Sequence, residues 1–263
     1  QNFLDIAGCQ KDWDPINLIH EIQKEVVTKV NKSVNAPARN ALGIADAGGS
    51  KKQNVILGVS GGVDSTTLAS ILAPVLGNKL ICIAIDTGGL RANELAELKI
   101  NTKSALGTKF IKNLKIIPAS EEFIKNVGTT IDGEEKRAKF RAVYQKIFEK
   151  QIKKYNAGFI AQGTLATDII ESGKAGESAM IKTHHNVGLS WKVQDLHPFR
   201  NLFKYEVREL ARAMKLPSAI YERNPFPGPG LYLRVVGTPV SKENIELVRE
   251  ADKTVQDILK KHK

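Results

Sequence analysis

Apolar residues recur at helical spacing through "DPINLIHEIQKEVVTKV", residues 14–30, at Ile16, Ile19, Ile22, Val26, Val27 and Val30. Asp14 stands as an N-cap before Pro15, a residue suited to the first helical position. The pattern is lost over 35–53, "NAPARNALGIADAGGSKKQ", which reads as a linker or loop. From residue 54 short apolar runs alternate with helical stretches. "NVILGV", "KLICIAID", "NLKIIPAS" and "AGFIAQGT" read as strands covered on both faces. "STTLASILAPVL", "ANELAELKINTKSAL" and "EEKRAKFRAVYQKIFEKQIKKY" read as the helices between them. That alternation predicts a parallel α/β sheet with right-handed crossovers, binding its ligand beyond the carboxyl ends of the strands.

Periodicity fails again over 171–195, a polar, glycine-spotted stretch expected to be a lid. "LFKYEVRELARAMKL" returns to helix, and "RNPFPGPGLYLRVVG" reads as a proline-rich turn leading into a strand. A last helix follows Ser241 as its N-cap.

Composition narrows the class. No apolar run approaches the roughly 20 residues of a membrane span, so no membrane association is expected. The start "QNFLDIAGCQ" lacks the basic and apolar regions of a secretory signal, and also an initiator Met. A piece of a longer chain is the expectation. The only cysteines are Cys9 and Cys82, too few for a disulfide framework or a Cys-rich metal site, which fits a cytoplasmic location. Cys82 falls in an apolar run and reads as core. The net charge of +11 suits polyanionic ligands, or describes a lysine-rich solvated surface, since the lysines are scattered.

The candidate chemistry begins at Ser60-Gly61-Gly62-Val63-Asp64-Ser65, between the first strand and its helix. Two glycines let backbone N–H groups approach an anion, and the following helix adds its N-terminal dipole. Ser60 and Ser65 offer hydroxyls, and Asp64 is a candidate Mg²⁺ ligand. The bland alternative is a turn with Asp64 and Ser65 as helix caps. No Gly-Lys-[Ser/Thr] follows, so this is not a Walker A loop, and the phosphate charge must be met from elsewhere.

The loop resembles the pyrophosphate loop of the N-type ATP pyrophosphatases. Further stretches resemble one branch of that superfamily, the GMP synthase family: "IDTGGLRANE" (85–94), "EEKRAKF" (134–140), "AQGTLATDIIES" (161–172), "IKTHHNVG" (181–188), "PFRNLFKYEVREL" (198–210) and "PFPGPGLYLRVVG" (225–237). The resemblance runs over nearly the whole chain. It implies a Rossmann-like fold, adenine nucleotide alpha hydrolase-like, with a five-stranded parallel sheet and helices on both faces.

It also implies an activity, in which XMP, ATP and ammonia give GMP, AMP and pyrophosphate through an adenylated XMP. The positive charge then suits two nucleotide substrates without nucleic acid. Mg²⁺ is the implied cofactor with ATP as co-substrate, ammonia comes from a glutaminase domain or subunit, and the full-length protein is expected to be a homodimer. Residues 1–13 then read as the exit from a glutaminase domain, 14–53 as a leading helix and linker, 54–224 as the ATP pyrophosphatase domain, and 225–263 as the start of a C-terminal dimerisation domain.

By position, Ser60, Gly61, Gly62, Val63, Asp64, Ser65 and Thr66 would hold ATP and pyrophosphate, together with Gly163 and Thr164. Asp86 is an adenosine contact or a strand-end cap. Arg137 is an XMP-phosphate contact or half of a helix-face salt bridge. Asp64, Asp168 and Glu171 are the metal candidates. Lys182, on the lid, is assigned with Asp64 to catalysis, as the charge that a Walker lysine would carry. His184, His185 and Asn186 are assigned to XMP binding. Two other readings stand beside this one: a different ATP pyrophosphatase, tRNA-modifying or NAD synthetase-like, or an ATP-binding piece without full activity.

Overall fold

The computed structural model describes residues 2–8, 13–35, 54–171, 193–222, 226 and 228–262. After a short helix α1 (Asn2–Ile6), α2 runs over Pro15–Asn35. Its N-terminus is capped as expected, with Asp14 accepting from Ile16 N at 3.1 Å and Asn17 N at 3.2 Å. Ile19, Ile22, Val26 and Val30 are buried, Val27 packs at the core's edge, and Ile16 is exposed, so the apolar stripe is narrower than the spacing predicts.

The α/β unit follows: β1 (Asn54–Gly58), α3 (Val63–Leu76), β2 (Leu80–Asp86), α4 (Glu94–Phe110), β3 (Leu114–Pro118), α5 (Ser120–Val127), α6 (Gly133–Lys154), β4 (Ala157–Ala161), α7 (Ala166–Glu171) and β5 (Gln194–Leu196). After it come α8 (Lys204–Ala213), α9 (Ser218–Tyr221) and α10 (Lys242–Lys261). The strands form one five-stranded sheet in the order β3-β2-β1-β4-β5, with every neighbouring pair parallel.

The sheet is covered on both faces, which is why its inner strands carry no polar alternation. Val55, Leu57 and Phe159 pack with α2, α3 and α8. Ile56, Ile81, Ile83 and Ile160 pack with Phe148 and Ile152 of α6. Cys82 is fully buried, and burial pushes its thiol up to about 12. The chain winds outward from β1 to β3, then crosses back to lay β4 on the other side of β1. The loops after β1 and β4 therefore diverge, and a cleft opens between them at this switch point.

Two expectations are corrected. The last residues of the expected lid, Gln194 and Asp195, belong to β5, whose register on β4 is Phe159 to Gln194 through Ala161 to Leu196. "LYLRVVG" does not form a strand. Gly230–Leu233 is a 3₁₀ turn, because Leu231, Tyr232 and Val235 all point into one cluster with α5 and α6, which alternating strand faces cannot do. The start of α10 joins the same cluster through Ile245. Its N-cap is Ser241, accepting from Asn244 N at 3.1 Å. Lys136 of α6 is fully buried here, and its ammonium donates to Val235 O at 2.5 Å. Cys9, the linker 36–53 and lid residues 172–192 lie outside the described residues.

Candidate active site

β1 ends at Gly58, and the chain turns through Gly61 (φ +73°) into α3, with Gly62 as the N-cap. The serines brace the turn: Ser60 N donates to Ser65 Oγ at 3.1 Å, and the two hydroxyls lie 3.3 Å apart. Ser60, Gly62, Val63, Asp64 and Ser65 line a cavity of about 300 Å³ that opens at the switch point. Its lining also includes the apolar side chains of Ile83, Ile85, Leu98 and Ile160 and the ring of Tyr144. A glycine turn at a helix N-terminus beside apolar lining residues has the chemistry that suits a nucleotide.

The β4–α7 loop brings the second half of the site. Gly163 lies so close to α3 that a Cβ there would sit 3.1 Å from Asp64 Cβ. Asp168, also lining the cavity, accepts from Leu165 N at 2.8 Å and so caps its own loop. Its negative charge reaches Asp64. Thr164 is buried behind the loop, its hydroxyl 3.1 Å from His197 Nδ1.

Lys204 completes the polar cluster. It is the first residue of α8, and its Nζ lies 2.5 Å from Asp64 Oδ2. A cation at a helix N-terminus opposes the dipole, so the position is locally unfavourable and needs its acidic partner. Glu206 accepts from Phe203 N at 2.7 Å and caps that end of α8. Burial pushes the Asp64 carboxyl above the ordinary carboxylate range, Lys204 draws it back, and Asp168 adds to the rise. Asp64 Oδ1 is buried and has no hydrogen-bond partner among the described residues.

The sequence-predicted residues divide. Ser60, Gly62, Val63, Asp64, Ser65, Gly163 and Asp168 meet at the cavity. Gly61 supplies the turn, while Thr66 is buried inside α3. Asp86 ends β2, where its Oδ1 accepts from Gly88 N at 3.0 Å; it caps the strand end and does not line the cavity. Arg137 is a half-buried residue of α6 paired with Glu134, and Arg141, one turn further on, lines the cavity instead. Glu171 ends α7, and nothing is described of its side chain. Lys182, His184, His185 and Asn186 lie outside the described residues. Sequence reasoning missed Lys204, Arg141 and Glu94, all of which line the cavity. Lys204 and Arg141 each fall in or beside a stretch that carries the resemblance, the only signal pointing to them.

Among the described residues no group of three or more His, Cys, Asp or Glu side chains could hold a metal. Asp64 and Asp168 still fit a hard divalent cation. The charge of Asp168 raises the Asp64 carboxyl, and Asp64 Oδ1, without a hydrogen-bond partner among the described residues, is an oxygen donor of the type Mg²⁺ takes.

The geometry has close sequence counterparts. "GMP synthase [glutamine-hydrolyzing]" of Coxiella burnetii (strain RSA 493 / Nine Mile phase I) is 36% identical over 263 residues, covering 98% of this chain. The protein of that name from Oleidesulfovibrio alaskensis is 38% identical over 264 residues, also covering 98%. The chain is a homologue of the GMP synthases. A further GMP synthase, from Mesoplasma florum, is 38% identical over 258 residues and covers 96% of the chain. The chain spans about half the length of these GMP synthases, 45%, 46% and 45% respectively. No family model matches it.

Solved structures agree on the fold. NH3-dependent NAD synthetase from Campylobacter jejuni has a TM-score of 0.54 at 17% identity, covering 82% of this chain and 80% of that one. NMN synthetase from Francisella tularensis also scores 0.54, at 18% identity over 91% and 94% of the two chains. The GMP synthase homologue thus carries the adenine nucleotide alpha hydrolase fold expected from its sequence.

Proposed function

We propose that the chain is the ATP pyrophosphatase portion of a GMP synthase, a ligase that aminates XMP at the expense of ATP. The observation that carries this reading is the meeting of the Ser60–Ser65 turn with Asp64, Asp168 and Lys204 beside the apolar lining of one slot.

The slot would take adenosine, with Asp86 holding the loop after β2 through Gly88 N. The turn and the N-terminus of α3 would hold the β- and γ-phosphates. Asp64 and Asp168, with Glu171 beyond them, would hold Mg²⁺, which when bound neutralises phosphate charge. Lys204 already faces this point, and its ammonium would shift from Asp64 to the departing pyrophosphate. The C2 oxygen of XMP attacks the α-phosphorus, forming one P–O bond while the bond to the pyrophosphate oxygen breaks. Ammonia then attacks C2, the C–O bond to AMP breaks, and a proton is released. Fixed donors aimed at the leaving group stabilise the first step, and exclusion of water protects the adenylate.

Arg137 is the candidate for the XMP phosphate, and Lys182, His184, His185 and Asn186 are candidates on the segment expected to close over the site. Ammonia would come from a glutaminase domain or subunit. The full-length protein would act as a homodimer in the cytoplasm. Exchange of labelled pyrophosphate into ATP tests this: exchange that requires XMP is expected. Exchange driven by tRNA in its place, or none with XMP present, overturns the proposal.

A further inference from the structure

The loop between β2 and α4 lines the cavity through Thr87 and Leu90, followed by Glu94 at the start of α4. Four successive carbonyls of this loop are each held by residues that follow it by about 140 to 160 positions. Thr87 O accepts from the Tyr232 hydroxyl at 2.8 Å, and Gly89 O from Leu231 N at 2.8 Å. Arg249 of α10 takes the other two, donating from Nη2 to Gly88 O at 2.6 Å and from Nε to Leu90 O at 2.9 Å.

The next residue, Arg91, is anchored by its side chain. Its Nε lies 3.1 Å from Asp252 Oδ2, and its guanidinium lies over the Phe226 ring, 3.9 Å from the centroid. Asp252 is buried on α10 and also pairs with Arg234, whose guanidinium lies 4.9 Å from the same ring. Phe226 itself lines the cavity. Gly89 is required in this arrangement, because a Cβ there would sit 2.3 Å from the Tyr232 ring.

A glycine-rich loop held only at its ends samples many conformations, and fixing it before a ligand arrives removes an ordering cost from binding. Neither Arg249 nor Asp252 lines the cavity. We propose that both are positioning residues for the nucleotide: α10 clasps the carbonyls of Gly88 and Leu90 through Arg249 and the Arg91 side chain through Asp252, presets that cavity wall and so sets ATP affinity. The identity of the ligand rests on the function proposed above, while the clasp rests on the hydrogen bonds.

Two measurements on the whole chain test it: amide hydrogen exchange without ligand, and calorimetric titration with Mg·ATP. Arg249→Ala is expected to speed exchange at residues 88–91 and weaken ATP binding roughly tenfold, the scale of one of the two charge-assisted hydrogen bonds it removes. Arg249→Lys, which can reach one carbonyl at a time, is expected to fall between. Asp252→Asn, equal in size, is expected to weaken binding in the same direction. Ile152→Val, a core change remote from the loop, controls for stability loss alone. Exchange at 88–91 that stays at the wild-type rate in Arg249→Ala overturns the clasp. So does ATP binding no weaker than in Ile152→Val. A wild-type chain that binds no Mg·ATP overturns the proposed function instead, and the exchange rates still decide the clasp.

Discussion

Lys204 and Asp64 lie 140 positions apart in sequence, yet Nζ and Oδ2 meet at 2.5 Å where α8 begins and α3 begins. Both side chains line the cavity, and the ammonium is partly open to it. The pair joins the two helix N-termini that the switch point brings together.

Removing the cation should therefore damage chemistry more than folding. Lys204→Met is expected to lower pyrophosphate exchange about 10²-fold, the usual scale for one fixed donor on a developing anion. Lys204→Arg should recover part of it. A Lys204→Met melting temperature close to wild type, measured alongside, distinguishes this from collapse of the fold. The exposure of Lys204 makes the pair itself a weak source of stability.

Asp64 should show the opposite balance. Its folded pKa is raised, chiefly by burial. The folded state then binds the proton more tightly than the unfolded state. The contribution of this group to stability is fully present below the ordinary carboxylate value and is lost as pH rises through the raised one. Asp64→Asn cannot ionise. The melting temperature of Asp64→Asn relative to wild type is expected to climb as pH is raised from about 4 toward neutrality. A difference that stays flat or falls over that window contradicts the burial argument. ATP binding with Mg²⁺ is expected to be lost in the same variant.

Much of this site was legible. The run Val55-Ile56-Leu57 before Ser60-Gly61-Gly62 announced a buried strand feeding an anion turn, because full burial on both faces needs unbroken apolar residues. Asp168 was legible through its stretch after the fourth strand. β5 was not, since "QDL" is three residues long, sits at the sheet edge and leaves Gln194 and Asp195 exposed. Lys204 was hidden for another reason. Its role comes from where α8 packs, and no local spacing encodes that. Arg137 and Arg141 share the sequence signal of one helix, and only the packing of α6 shows that Arg141 lines the cavity.

Lys136 ties α6 to the turn after the 3₁₀ helix. Its ammonium is buried against Val235 O, with Thr238 O at 3.4 Å. Lys136→Ala removes those bonds and leaves a void, so a loss of roughly 2–4 kcal/mol is expected in denaturant unfolding. Exchange protection at residues 231–238 should fall with it.

Cys82 should be inert. With its thiol held near 12 in a fully buried strand, it is protonated at pH 8, and the thiolate is the reactive form. A maleimide is expected to leave the Cys82 peptide unmodified in the native chain and to label it in denaturant, as read by mass spectrometry.

The position of β1 between β2 and β4 also bears on synthesis. β2 can pair with β1 soon after it emerges from the ribosome, but β4 begins at Ala157, about a hundred residues after Asn54. Until then one edge of β1 offers unpaired backbone beside Val55, Ile56 and Leu57, the kind of edge that recruits strands from other chains. A nascent or prematurely ended chain that stops short of Ala161 therefore carries an aggregation-prone edge in the strand that feeds the Ser60–Ser65 turn.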